Sequence, residues 1–177
     1  MPDHGLPEGF ALREASTADL PIILRHRDQM FRDMGYRGED SLAAAAEISE
    51  RVIGEALHGG RYRGWFIADP SGRVVAGGGI ILLEHHAGPS DPTPLRPVIV
   101  NVYTEAAYRG RGLARALMNQ AVAWCREQGL HRVFLHASPQ GRPLYESMGF
   151  RSTPEMRLDL TPPREDGSRP PRAAGKR

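Results

Sequence analysis

Residues 98–129 read VIVNVYTEAAYRGRGLARALMNQAVAWCREQG, and the reading of this stretch decides the fold. The first seven residues are nearly all β-branched or aromatic, the composition of a central strand buried on both faces. After residue 112, Leu113, Leu117, Ala121 and Trp124 recur at helical spacing and form an apolar stripe, and Gly129 ends the helix. Between strand and helix stands Arg109-Gly110-Arg111-Gly112. Glycines let the chain turn tightly with N–H groups pointing inward, and the helix N-terminus adds roughly half a positive charge. In physical terms the turn suits an anion such as a diphosphate, with Arg109, Arg111 and Arg115 to help, and it reads equally as a plain helix start with no ligand. The turn lacks the Gly-Lys-Ser/Thr ending of a nucleotide P-loop and is not the GxGxxG dinucleotide fingerprint.

Downstream, residues 131–138 predict another strand, 140–148 a short helix stopped by Gly149, and 156–160 a last strand. Upstream, residues 10–15 predict an edge strand. A helix follows over 18–30, with Ser16 or Thr17 as its cap and Asp19 in its first turn. Gly35 and Gly38 break the chain before a second helix over 42–58, capped by Asp40 or Ser41 and ended by Gly59-Gly60. Residues 61–69 and 73–84 predict a hairpin turning at Asp69-Pro70-Ser71-Gly72. Residues 85–97 hold four prolines and read as a functional loop that shapes a pocket. The βαβ crossover over 98–138 makes the chain α/β (α+β) with a mixed sheet.

The length of 177 residues suits one domain, expected over residues 1–160. Residues 161–177 hold five Lys/Arg against two acids, leaving 18 basic and 19 acidic groups elsewhere. The basicity therefore belongs to a Pro/Arg-rich tail expected to be disordered, and no nucleic-acid partner is expected. No run reaches the roughly 20 apolar residues of a membrane span, and the N-terminus lacks a signal pattern, so the expected location is cytoplasmic. One cysteine, Cys125, forms no internal disulfide and reads as core, and no zinc-ligand spacing occurs, so no metal is expected.

The run VNVYTEAAYRGRGLARALM resembles the cofactor-binding segment of the GNAT superfamily of N-acetyltransferases. That family's signature is Arg or Gln, two residues, Gly, one residue, then Gly or Ala, and here it spans Arg109-Gly110-Arg111-Gly112-Leu113-Ala114. Pro143-Leu144-Tyr145-Glu146-Ser147-Met148-Gly149-Phe150 resembles the family's later L-Y-x-x-x-G-F segment. The resemblance implies a mostly antiparallel twisted sheet with helices on both faces and a splay between the fourth and fifth strands. Acetyl-coenzyme A would lie in that splay, its pyrophosphate on the amides of residues 109–114 and its pantetheine arm along Val102, Tyr103 and Thr104. Ser138 stands where many relatives carry a cofactor-contacting asparagine. Tyr145 would be the acid that protonates the departing thiolate. The acceptor pocket would involve Met30 and Phe31, which with Met34 and Tyr36 also read as core.

The general base is less legible. The alternate strand positions Val98, Val100 and Val102 cannot take a proton, which leaves Glu84, His85, His86 and Glu105 as candidates. An α-amino group is roughly 10% neutral at pH 7, a lysine only about 0.04%. A site without a strong base therefore suits a small, low-pKa amine acceptor, which attacks the acyl donor directly in a ternary complex. A non-catalytic acyl-coenzyme A sensor and an acetyltransferase of protein amines are the alternatives. Whether the chain forms a homodimer is left open by the sequence.

Overall fold

The computed structural model describes residues 5–89, 91–158 and 160. The tail read over 161–177 lies outside them. Among the described residues nine strands and α-helices follow one another: β1 (Ala11–Glu14), α1 (Leu20–Asp33), α2 (Glu39–His58), β2 (Tyr62–Ala68), β3 (Val74–Glu84), β4 (Leu95–Thr104), α3 (Leu113–Glu127), β5 (Phe134–Leu135) and α4 (Arg142–Ser147). The strands form one sheet in sequence order, with β1 to β4 antiparallel and β5 parallel to β4. This is the α+β mixed sheet expected from the crossover.

Local chemistry explains the element boundaries. The backbone N–H and the hydroxyl of Ser16 both donate to Asp19 Oδ2 (2.8 and 3.0 Å), which fastens a 3₁₀ turn over Thr17–Asp19. Arg13 also donates to Asp19, and α1 then begins at Leu20 with Pro21 in its first turn, where a missing N–H costs nothing. Glu39 and Asp40 occupy the first turn of α2 and favour its N-terminus, so that helix starts ahead of the expected cap.

The helices cover the two faces of the sheet. On one, Leu113, Ala116, Leu117, Met118, Ala121 and Cys125 of α3 pack against Trp65, Ile67, Val75, Ile80 and Ile99. On the other, Ile23 of α1 and Ile53 and Ala56 of α2 pack against Tyr62 and Phe66 of β2. Two of three consecutive glycines in β3, Gly77 and Gly79, make room for those rings, while Gly78 faces Val102. A Cβ at Gly79 would lie 2.4 Å from the Tyr62 ring and one at Gly77 2.7 Å from Phe66.

Three expectations are corrected. β4 begins at Leu95 and takes in Pro97, so the connecting loop is shorter than 85–97. β5 is only two residues long, because it pairs with β4 at Val98–Phe134 and Ile99–Leu135 and then parts from it. No strand forms over residues 156–158, where Met156 and Leu158 are 94% and 81% exposed with no sheet edge against which to bury them.

Candidate active site

Beyond Ile99, β4 has no partner on the β5 side, and the gap opens into a cleft of about 820 Å³. Its floor is the run from Ile99 to Thr104; one wall is Gly110, Gly112, Leu113, Ala114 and Arg115; the other is Leu135, His136, Ser138, Leu144 and Tyr145. Met30 and Phe31 of α1, and Met34 just after it, close one end. A volume of this size is ordinary for a ligand site.

β4 reaches the cleft with a bulge. Gly77 pairs with Tyr103 and Gly79 with Val100, so two residues of β4 lie opposite Gly78 alone. Asn101 takes the strain, with φ of 58°, and is the one non-glycine with positive φ among the described residues. Asparagine tolerates this region better than a β-branched residue does. Its side chain is buried and held from two sides: Arg27 Nη1 donates to Oδ1 (2.7 Å), and Nδ2 donates to the Tyr62 hydroxyl (3.4 Å). The bulge turns Val100 and Asn101 to the same side of the sheet, so strict alternation along β4 fails here. Asn101 and Arg27 were missed by sequence reasoning. An asparagine interrupting a β-branched run was the available signal for the first.

The glycine turn has the conformation its composition demands. Gly110 and Gly112 have φ of 75° and 80°, and Gly112 caps α3. A helix of this length leaves its first N–H groups without intrahelical partners, and Leu113, Ala114 and Arg115 of that first turn line the cleft. Arg109 is engaged elsewhere: its Nε donates to the Thr104 carbonyl (3.0 Å), and its guanidinium pairs with Asp33, which also accepts from the Tyr103 hydroxyl (3.2 Å). Arg111 lies over the Tyr108 ring, outside the cleft lining. Arg115 lines the cleft and donates to Ser147 Oγ, tying α3 to α4. Thr104 Oγ1 is buried in the lining with no hydrogen-bond partner among the described residues. An orphaned hydroxyl beside an unpaired strand edge fits the polar, amide-bearing arm of the acyl donor.

Tyr145 sits on α4 with its ring edge-on to Phe150. Burial pushes its phenol above the usual range, and the hydroxyl makes no hydrogen bond among the described residues. It is a protonated donor facing the cleft. Ser138 also lines the cleft, where its hydroxyl accepts from the Gly141 N–H (3.1 Å) and shapes the entry to α4. Of the acceptor candidates, Met30 and Phe31 line the cleft. Glu84, His85 and His86 do not: they are exposed at and just past the end of β3, opposite the start of β4 and away from the β4–β5 gap. Glu105 is also absent from the lining. It is buried, pairs with the exposed Arg73, and lies 3.6 Å from Arg25 and 3.9 Å from His26. Among the described residues the one carboxylate in the lining is Asp33, already bound to Arg109 and Tyr103.

Comparison with known proteins agrees with this geometry. The chain is 34% identical over 98 residues to a glucosamine 6-phosphate N-acetyltransferase of Trypanosoma brucei brucei, a match covering 54% of the chain and 63% of that enzyme. Among solved structures, a GCN5-related N-acetyltransferase from Ralstonia eutropha JMP134 superposes with a TM-score of 0.80 at 36% identity, over 85% of this chain and 98% of that one. A predicted acetyltransferase from Clostridium acetobutylicum, solved with acetyl-CoA, shares the fold with a TM-score of 0.79 at 24% identity, over 85% of this chain and 96% of that one. The profile of the acetyltransferase (GNAT) family matches residues 25–150, a span that runs from α1 through the glycine turn to Phe150. With the bulged β4, the splayed β5 and the glycine-capped α3 all inside that span, the chain belongs to the GNAT acetyltransferase family.

Proposed function

We propose that the protein transfers the acetyl group of acetyl-coenzyme A to a primary amine of a small molecule, by direct attack in a ternary complex. The observation that carries this reading is the lining of one cleft. The glycine turn at 109–114 and the free phenol of Tyr145, over thirty residues apart in sequence, face the same cavity. The cleft also holds no thiol, since Cys125 is buried in the core with its pKa pushed up to about 11 by that burial. A covalent acetyl-enzyme on cysteine has no place there. The relative from Trypanosoma brucei brucei, named for an amino sugar phosphate, agrees with a small acceptor.

In the proposed reaction the amine nitrogen attacks the thioester carbonyl, a C–N bond forms, and the C–S bond breaks. The thiolate takes the Tyr145 proton, and the attacking nitrogen loses one to water. The amide and free coenzyme A leave, and the phenolate is reprotonated from solvent. Amides of α3's first turn hold the pyrophosphate, and the strand edge of β4 orients the arm that carries the thioester. With Asp33 tied up, the described lining offers no free carboxylate as base, which suits an amine that enters neutral. This favours amines of low pKa.

The test is a panel of small amines and lysine peptides scored by thiol release from acetyl-coenzyme A. Turnover on one or more small amines, exceeding that on peptides, is the expected result. Tight acetyl-coenzyme A binding with no turnover on any amine would overturn the enzyme reading in favour of a sensor.

A further inference from the structure

Arg27 carries a positive charge at the acceptor end of the cleft that no carboxylate balances. Its side chain is half-buried on α1. Nε donates to Ser49 Oγ (3.0 Å), Nη1 donates to Asn101 Oδ1 (2.7 Å), and the guanidinium lies 4.7 Å over the Phe31 ring. Every one of these partners is neutral. The arginines around it are different: Arg25 has Glu105, Arg32 has Asp28 and Glu39, and Arg109 has Asp33. Nη2 of Arg27 makes no hydrogen bond among the described residues. Burial lowers its proton affinity, yet a guanidinium does not lose its proton in a protein, so the charge stays. Holding an unbalanced charge partly out of water is costly unless something anionic completes it.

We infer that Arg27 receives the anionic group of the acceptor, and that the acceptor is an amine bearing a carboxylate, such as a small amino acid. The inference rests on the acetyl-transfer reading and names its substrate class. One guanidinium matches one negative charge, and the neighbouring lining from Met30, Phe31 and Met34 is apolar, suited to a hydrocarbon remainder. The other arginines of the lining, Arg109 and Arg115, belong to the glycine turn and α3. A dianionic phosphate would bring a second charge to a place with a single cation. Arg27 is thus a specificity residue for the acceptor, and through Asn101 it also fixes the strand on which the donor lies.

The experiment compares matched acceptors with acetyl-coenzyme A: amino acids, their carboxamides, and aminoalkyl phosphates. Each is assayed with the wild type, Arg27→Gln and Arg27→Lys by kcat/KM and by calorimetry on the coenzyme A-loaded protein. A charge-assisted hydrogen bond predicts a preference of about 10–100-fold for acid over carboxamide in the wild type. In Arg27→Gln that ratio should collapse toward one, the acid losing far more than the carboxamide, and Arg27→Lys should restore part of it. Equal use of acid and carboxamide by the wild type would overturn the inference. So would a loss in Arg27→Gln that is equal for both, since that marks a purely structural hold on Asn101. Preference for the aminoalkyl phosphate would overturn the carboxylate assignment. If no acceptor turns over, the enzyme reading fails by itself. Calorimetry then still decides the inference: acids that bind the wild type and not Arg27→Gln support it, and acids that bind both equally overturn it.

Discussion

The phenol of Tyr145 loses only an oxygen in Tyr145→Phe, and its ring contact with Phe150 remains. Fold and coenzyme A affinity should therefore survive, while kcat falls by roughly 10²–10⁴, the usual worth of a positioned general acid. Stopped-turnover assays beside calorimetry check this, and unchanged kcat would leave Tyr145 as a packing residue. Its position was readable because the L-Y-x-x-x-G-F spacing is carried in one short segment. Asn101 and Arg27 were not readable in the same way. They are 74 positions apart, and the 2.7 Å bond between them exists only once α1 has docked on β4. The candidates Glu84, His85 and His86 failed to reach the cleft for a related reason. Chemical type is visible in a sequence, but the end of a strand at which a side chain emerges depends on where the sheet opens.

Among the elements, β3 depends on its glycines for their lack of a side chain. Tyr62 crosses over Gly79 to reach Asn101, and a methyl group there would meet the ring at 2.4 Å. Gly79→Ala should cost about 1–3 kcal/mol by overpacking. At roughly 2–4 °C per kcal/mol for a chain of this length, thermal unfolding should detect it. The displaced ring should also release Asn101, so coenzyme A affinity should fall; a variant with native affinity and melting temperature would show that Tyr62 does not hold the bulge. Helices and the first three strands were legible because period and turn residues mark them locally. The start of β4 at Leu95 was hidden by Pro97, which reads as a loop residue. The strand read over 156–160 had the right composition, yet residues 156–158 meet no sheet edge. Pairing, not propensity, makes a strand.

For the molecule as a whole, His26 links stability to acidity. It is 1% exposed, its Nδ1 has no hydrogen-bond partner among the described residues, and its pKa is pushed down to about 4, first by burial and then by the charge of Arg25. Glu105 lies 3.9 Å away and would favour the charged ring, but its charge is already shared with Arg73 and Arg25. The unfolded chain binds a proton near pH 6.5 and the folded one only near 4. Stability is thus full above about pH 6.5 and falls as the pH drops toward 4, by roughly 3 kcal/mol if His26 acted alone. Denaturant titrations of wild type and His26→Gln across that range should show a shallower slope in the variant; equal slopes would place the titration elsewhere. The seam between β4 and β5 has a different consequence. Two residue pairs join the last strand to the rest of the sheet, so a molecule bound along the parted edge completes the sheet as an added strand would. Amide hydrogens of residues 100–104 that face the seam should exchange quickly with solvent deuterium in the free protein and slow once the acyl donor is bound. On the proposed reading the substrate would act as a removable piece of the fold, with the sheet open again at the end of each turnover.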